Sequence, residues 1–235
     1  MFSVLAWLAI WWWVAEPRLD TPAGERESLA AAVRRFGALF ALPHTLGIVA
    51  LAAVTYASFI TLRGLWLGPL MIERHGWSLV HAGHVALAVS VVAMMGPPIF
   101  GGLDPGPRTR RRWLVGWTLV IAALMAAMAL DFGAWADVVF ANVFGLLSGY
   151  MVLQYADVRA AYPAALTGRA LALFTMAMFL GVAAMQGFTG WVASRAHALG
   201  ADPYVAVLGT IAALLAAGAV AYVVLPQPPK PSGAA

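Results

Sequence analysis

An arginine at position 63 stands inside an apolar run that extends from 45 to 71, with Trp66 and Pro69 still between it and the end of the run. Ionisable side chains are expensive inside a membrane and mark functional sites there. Tyr56, Phe59, Arg63 and Trp66 follow one another at helical i, i+3, i+4 and i+7 spacings, close to one face. A guanidinium beside aromatic rings suits a carboxylate or another small anion, which its forked donors grip at two points. An arginine whose stem carries its charge to the outer headgroups gives the same pattern, so both readings stand on the sequence. Asn142 and Gln186 lie at comparable depth on two other apolar runs; with Arg63, Tyr56 and Trp66 they form the candidate substrate-binding set of an outer-half cavity. Each amide taken alone fits a hydrogen bond between membrane helices equally well. Gln154 and Tyr155 lie nearer the inner end and suit a gate or a cap.

A second group invites different chemistry. His75, His81 and His84 cluster beside Glu73, and His81 and His84 stand three residues apart, so a metal or haem ligand set is conceivable. Histidines at a membrane boundary need no ligand, and His197 and His44 add no second cluster. No catalytic residue, cofactor or metal ligand is assigned from the sequence, and the chain does not read as an enzyme. A retinal Schiff base needs a lysine inside a helix, whereas Lys230 lies in the tail. The absence of cysteine removes disulfide and thiol chemistry. Asp131, Asp137 and Asp157 all fall at the ends of apolar runs, which leaves no buried carboxylate for proton coupling.

These residues must be positioned by membrane helices. The chain is 63% hydrophobic and 10% charged, against roughly a quarter charged in soluble domains. Apolar runs long enough to cross a bilayer place spans at 1–15, 45–71, 80–101, 113–131, 135–156, 168–192 and 204–225. The first is short, lacks a positive n-region and a small-residue cleavage site, and reads as a partial transmembrane helix. Residues 16–44 form a linker in which Thr21-Pro22 suits a helix start and Leu29, Val33, Phe36 and Phe40 share a face. An amphipathic helix on the membrane surface and a plain solvated connector both fit. Residues 45–225 form a six-helix bundle, and 226–235 a Pro-rich tail. The fold class expected is therefore an all-α polytopic membrane bundle.

Charge orients it. If the linker is cytoplasmic, that side holds Arg18, Arg26, Arg34, Arg35, Arg108, Arg110, Arg111, Arg112, Arg159, Arg169 and Lys230. These are eleven of the fourteen cations, leaving Arg63, Arg74 and Arg195. That bias puts the N-terminus in the periplasm and the C-terminus in the cytoplasm of a multi-pass inner-membrane protein. The net charge of +4 then reads as topology signal, with no nucleic acid as partner. Gly145 and Gly149 make a small-xxx-small spacing, and Gly181, Gly187 and Gly190 thin another span for close packing.

Three segments carry a family resemblance. Residues 56–83, through Arg63-Gly64-Leu65-Trp66-Leu67-Gly68-Pro69 to His81-Ala82-Gly83, resemble the seventh helix and outer loop of the major facilitator superfamily of transporters. Residues 96–112 resemble the second copy of its Gly-x-x-x-Asp-Arg-x-Gly-Arg-Arg loop. Residues 162–191, with Tyr162-Pro163, Thr167-Gly168-Arg169, Gln186-Gly187 and Gly190-Trp191, resemble the start and body of its eleventh helix. The resemblance implies the carboxy-terminal half of such a permease: the end of helix six, the central loop, then helices seven to twelve. It implies alternating-access transport of a small solute across the lipid bilayer. It also implies a missing amino-terminal half, a partner chain or a homodimer. In that family the acid and bases of the loop tie inner helix ends together, which points here to Asp104, Arg108, Arg110, Arg111 and Arg112. Pro105 replaces the motif's first arginine and Pro107 precedes Arg108, so a loop that only sets topology fits as well. The reading from a different class is a non-transporting membrane protein, such as a metal- or haem-binding anchor or an assembly factor.

Overall fold

The computed structural model describes residues 36–228 together with Val4, Trp7, Trp11, Trp12 and Arg34. Residues Met1–Arg35 and Phe36–Ala235 are separate compact units. The expected partial helix at 1–15, most of the linker before Phe36 and the tail beyond 228 therefore lie outside the described residues. No strand occurs among those described, and six helices are long and apolar enough to cross a membrane. They are α1 (His44–Arg74), α2 (Leu79–Gly102), α3 (Pro107–Ala129), α4 (Ala134–Ala161), α5 (Ala164–Ala198) and α6 (Pro203–Val224). Connections of two to four residues force neighbours to run antiparallel. The starts of α1, α3 and α5 thus share one end with the finishes of α2, α4 and α6.

Local chemistry sets the boundaries. Ser78 caps α2 by accepting the His81 N–H, and Asp202 caps α6 by accepting those of Tyr204 and Val205, with Pro203 in the first turn. The third span begins at Pro107, not at 113, because Gly106 takes φ 78° and hands the chain to a proline at the first helical position. Arg108 to Arg112 are therefore helical. Cations at a helix N-terminus oppose its dipole, and Asp104 just before them supplies the compensating charge. The fourth span runs to Ala161 rather than 156, and the fifth starts at Ala164 rather than 168 and ends at Ala198 rather than 192. At 35 residues α5 is about 52 Å long, well beyond a hydrocarbon core of about 30 Å.

Two helices depart from regular winding. In α1 the turns Leu62–Trp66 and Leu70–Arg74 are π-helical, on either side of the short Leu67–Pro69 segment. Pro69 has no N–H to donate and its ring crowds the carbonyl of Leu65, so wider turns accommodate it. In α4 the Ser148–Met151 turn tightens to 3₁₀.

Packing centres on glycine. The α1–α5 pair is the most extensive contact and closes on Gly181, where an added Cβ would sit 2.0 Å from the Ala53 carbonyl oxygen. The α2–α4 pair closes on Gly149, whose Cβ would fall 2.1 Å from the Gly96 carbonyl carbon, and on Gly145 against Val89. Between apolar helices in lipid, such backbone approach and its dispersion contacts replace the hydrophobic drive. Gly187 and Gly190, by contrast, have nothing within 4 Å of an added Cβ, so only Gly181 thins α5. Major contacts also join α3 with α6, α1 with α6, α5 with α6, and α3 with α4.

Candidate functional site

Arg63 and Trp66 sit on the π turn Leu62–Trp66, and Tyr56 and Phe59 on the regular stretch of α1 before it. Arg63 turns to α2, where its Nε donates to Ser90 Oγ at 2.7 Å. Ser90 in turn donates to the Ala86 carbonyl of its own helix. Phe59, Arg63, Ser90, Ala93 and Met94 line an open recess of about 250 Å³. Arg63 lies eleven residues before Arg74, about 16 Å from the end of its helix, and is exposed at the mouth of this recess. No other hydrogen bond of its guanidinium forms among the described residues, so its Nη donors stay available to an anion.

Trp66, three residues on, turns elsewhere. Its Nε1 donates to Thr189 Oγ1 of α5 at 3.0 Å and its ring meets Tyr204 of α6 edge-on. Tyr56 packs edge-on to Phe179 of α5, and Phe59 to Phe144 of α4. The four residues expected on one face thus divide: Phe59 and Arg63 line the recess, while Tyr56 and Trp66 meet α5. Asn142 donates to the Val138 carbonyl one turn back on its own helix. The half-buried Gln186 makes no side-chain hydrogen bond among the described residues, although its carbonyl accepts from Thr189. Neither amide lines the Arg63 recess.

The arginine-rich end holds a denser network. Asp104 accepts from Arg110 Nε at 2.9 Å and Nη2 at 2.6 Å, and from the Gly106 N–H. The bonds from Arg110 hold the Asp104 carboxyl below the usual carboxylate range. Arg110 Nη1 also donates to the Ala156 carbonyl, tying α3 to α4. Arg111 turns inward instead: Nε donates to the Tyr222 hydroxyl at 2.7 Å, its charge lies 4.2 Å from that ring's centroid, and Asp157 is 3.7 Å away. Tyr222 donates to Asp157 Oδ2 at 2.6 Å. Of the five residues expected in the gating loop, Asp104 and Arg110 pair with each other. Arg111 instead serves α4 and α6, and Arg108 and Arg112 are exposed.

Gln154 exchanges hydrogen bonds with Thr55 of α1, one turn from Asp157. Thr45 hydroxyl and Tyr162 hydroxyl are 2.8 Å apart, and burial pushes the Tyr162 phenol up. Tyr155 donates weakly to Met178 Sδ and packs on Phe174, so it joins α4 to α5. Asp157 stands one residue beyond the span expected to end at 156; the helix continues to Ala161, and Asp157 lies inside α4, 7% exposed.

The opposite end is acidic. Arg74 meets Asp131 Oδ2 at 3.3 Å and Asp202 Oδ2 at 3.1 Å, and donates to the Met128 carbonyl. Glu73 accepts from the Tyr204 hydroxyl. His75 Nε2 lies 2.8 Å from Asp137 Oδ2, and Asp137 is fully buried. The expectation that no carboxylate is buried is therefore wrong at Asp137 as well as Asp157. The three-histidine group also comes apart. His81 faces Ser78 and Trp77, His84 is exposed beside it, and His75 joins acids from other helices.

Six apolar spans, glycine-closed helix pairs and polar clusters at both ends define an all-α, multi-pass membrane protein. No protein-family model matches the chain, and no curated protein matches it in sequence.

Proposed function

We propose that this protein is one half of a facilitator-type transporter, moving a small anionic solute by alternating access. The observation that carries this reading is Arg63: a guanidinium deep within a span, held by a single bond to Ser90, with unfilled donors facing a recess. An arginine near the bilayer centre costs about 2.5–3.5 kcal/mol on insertion scales, which a bound anion offsets. The pairing of spans supports the class. Exchanging the first three spans for the last three sends pair α1–α5 to α4–α2, pair α1–α6 to α4–α3, and α3–α6 to itself, all of them packed, although the α5–α6 contact has no comparable counterpart between α2 and α3. Each half of a facilitator-type transporter contains such a three-plus-three repeat.

Charge supports the orientation. One end carries Arg108, Arg110, Arg111, Arg112, Arg159 and Arg169 against Asp104 and Asp157. The other carries Glu73, Asp131, Asp137 and Asp202 against Arg74 and Arg195. The first is the cytoplasmic end by the positive-inside rule, in an inner membrane. The mouth of the Arg63 recess opens on the bundle surface beside exposed Leu65 and Met94. A covering chain, whether an amino-terminal half or a second copy, would shield it from lipid.

A thermal-shift screen of the purified protein against small mono- and dicarboxylates, phosphate and sulfate tests the reading. At least one anion is expected to raise the melting temperature of the wild type and not of Arg63→Ala. No stabilising anion, or equal stabilisation of both, would refute an anion site at Arg63.

A further inference from the structure

We infer that His75, Asp131 and Asp137 form a binding site for a divalent transition-metal ion, zinc being the best match. The site lies at the acidic end and does not rest on the transport reading. Each residue offers one ligand atom, and the three atoms lie within 4.8 Å of one another. They come from three places in the fold: the residue that closes α1, the turn after α3, and the first turns of α4. An ion held there would staple three spans.

Asp137 is the strongest sign. Its side chain is fully buried, yet only Oδ2 has a partner, His75; Oδ1 is shut from solvent with no hydrogen bond among the described residues. A buried carboxylate oxygen left bare is costly, and a cation removes that cost. The surrounding charge points the same way. Glu73, Asp131, Asp137 and Asp202 share this end of the bundle with Arg74, which pairs with Asp131 and Asp202, so these five side chains carry a formal excess of three negative charges.

Asp131 adds a backbone argument. It is the one described non-glycine residue with positive φ, at 52°, directly after the C-cap of α3. Glycine usually fills that position because it has no Cβ to strain. Here a carboxylate stands there, exposed to solvent and within reach of the buried pair, which gives an ion its way in.

The donor set is one imidazole nitrogen and two carboxylate oxygens with a fourth position open to water. It suits Zn²⁺, Co²⁺ or Mn²⁺ better than Ca²⁺, which asks for six to eight oxygens. Tetrahedral zinc with bonds of about 2.0–2.2 Å sets its ligand atoms about 3.3–3.5 Å apart. The His75–Asp137 pair at 2.8 Å must open slightly and Asp131 must swing in. That swing takes Asp131 from Arg74, which keeps Asp202 as its counter-ion at 3.1 Å.

The test is titration of the metal-stripped, purified protein with Co²⁺, read by visible ligand-field absorption, followed by displacement with Zn²⁺ and calorimetry. One Co²⁺ per chain is expected, replaced by one Zn²⁺. Asp131→Asn replaces the carboxylate by an amide of the same shape, tolerated at positive φ, and should weaken Zn²⁺ binding at least tenfold with little change in melting temperature without metal. Asp137→Asn should abolish the spectrum. The inference is overturned if the wild type gives no Co²⁺ spectrum. It is equally overturned if both variants bind as the wild type does, or if binding is lost in His81→Ala or His84→Ala instead.

Discussion

Replacing Gly181 by alanine tests the central packing claim on a single atom. The added Cβ would lie 2.0 Å from the Ala53 carbonyl oxygen and 2.7 Å from both its carbonyl carbon and its Cα, where ordinary contact begins at 3.4 Å. The worst overlap, 3.4 less 2.0, is thus 1.4 Å. The atoms met are backbone on both sides, so no rotamer change relieves it; α1 and α5 must separate or slide along their most extensive contact. Overpacking of this kind typically destabilises by about 1–3 kcal/mol. Alanine's better helix propensity returns up to about 1 kcal/mol. Gly187→Ala is the matched control on the same helix. It gains that propensity and meets nothing within 4 Å. The two variants should therefore differ by about 2 kcal/mol, or about 4–8 °C in melting temperature for a protein of this size. Thermal unfolding in detergent or nanodiscs, followed by tryptophan fluorescence, reads the difference. Melting temperatures within a degree of each other, or a more stable Gly181→Ala, would refute the close approach of α1 and α5.

Tyr222→Phe removes the hydroxyl that donates to Asp157 and accepts from Arg111, while keeping the ring beneath the guanidinium. It should lower stability by about 1–3 kcal/mol in the same melt, since the buried Asp157 and the half-buried Arg111 each lose a partner. Asp104 should titrate below 3.8 in a ¹³C-carboxyl NMR experiment, and Arg110→Gln should bring it back up. A depressed folded-state pKa means the Asp104–Arg110 contact helps above the unfolded value and is lost as pH falls through the folded one. That loosening therefore belongs to acid conditions below about pH 4, and none is expected near neutrality.

The spans were legible because apolar length alone identifies them, and nine of the twelve boundaries of the six described spans fall within about a turn of expectation, the start of α3 and the finishes of α4 and α5 being the exceptions. The start of α3 shows what length misses. Four arginines look like a loop until Gly106-Pro107 is read as a helix start with Asp104 as its counter-charge. The error mattered more at the finish of α4. Five further residues turned Asp157 from a boundary acid into the centre of a buried network. Around Arg63 the helical wheel puts Tyr56, Phe59 and Trp66 on one face, yet Tyr56 and Trp66 turn to α5 while Phe59 lines the recess, a division set by which helix lies opposite each. Ser90, Thr189 and the bare oxygen of Asp137 carry no mark in the sequence. Their roles arise from which helix lies opposite, and that is a property of the fold.

The helix α1 serves neighbours on more than one side. The polar network at the arginine-rich end draws Arg110, Arg111, Asp157 and Tyr222 from α3, α4 and α6. The cluster at the acidic end draws on α1, α4 and α6 and the turn after α3. Neither named group takes a side chain from α2 or α5. Those two helices instead bond to α1 through Ser90 on Arg63 and Thr189 on Trp66. Arg63 and Trp66 both sit on the wide turn Leu62–Trp66, Arg63 bonded to α2 and Trp66 to α5, while Tyr56 and Phe59 already diverge on the regular stretch before it, to α5 and α4. The irregular turn is thus where α1 bonds to both α2 and α5, and the only cation deep within a span among the described residues sits on it. A change in how α2 and α5 lie against α1 would act directly on the Ser90 bond that fixes the Arg63 guanidinium.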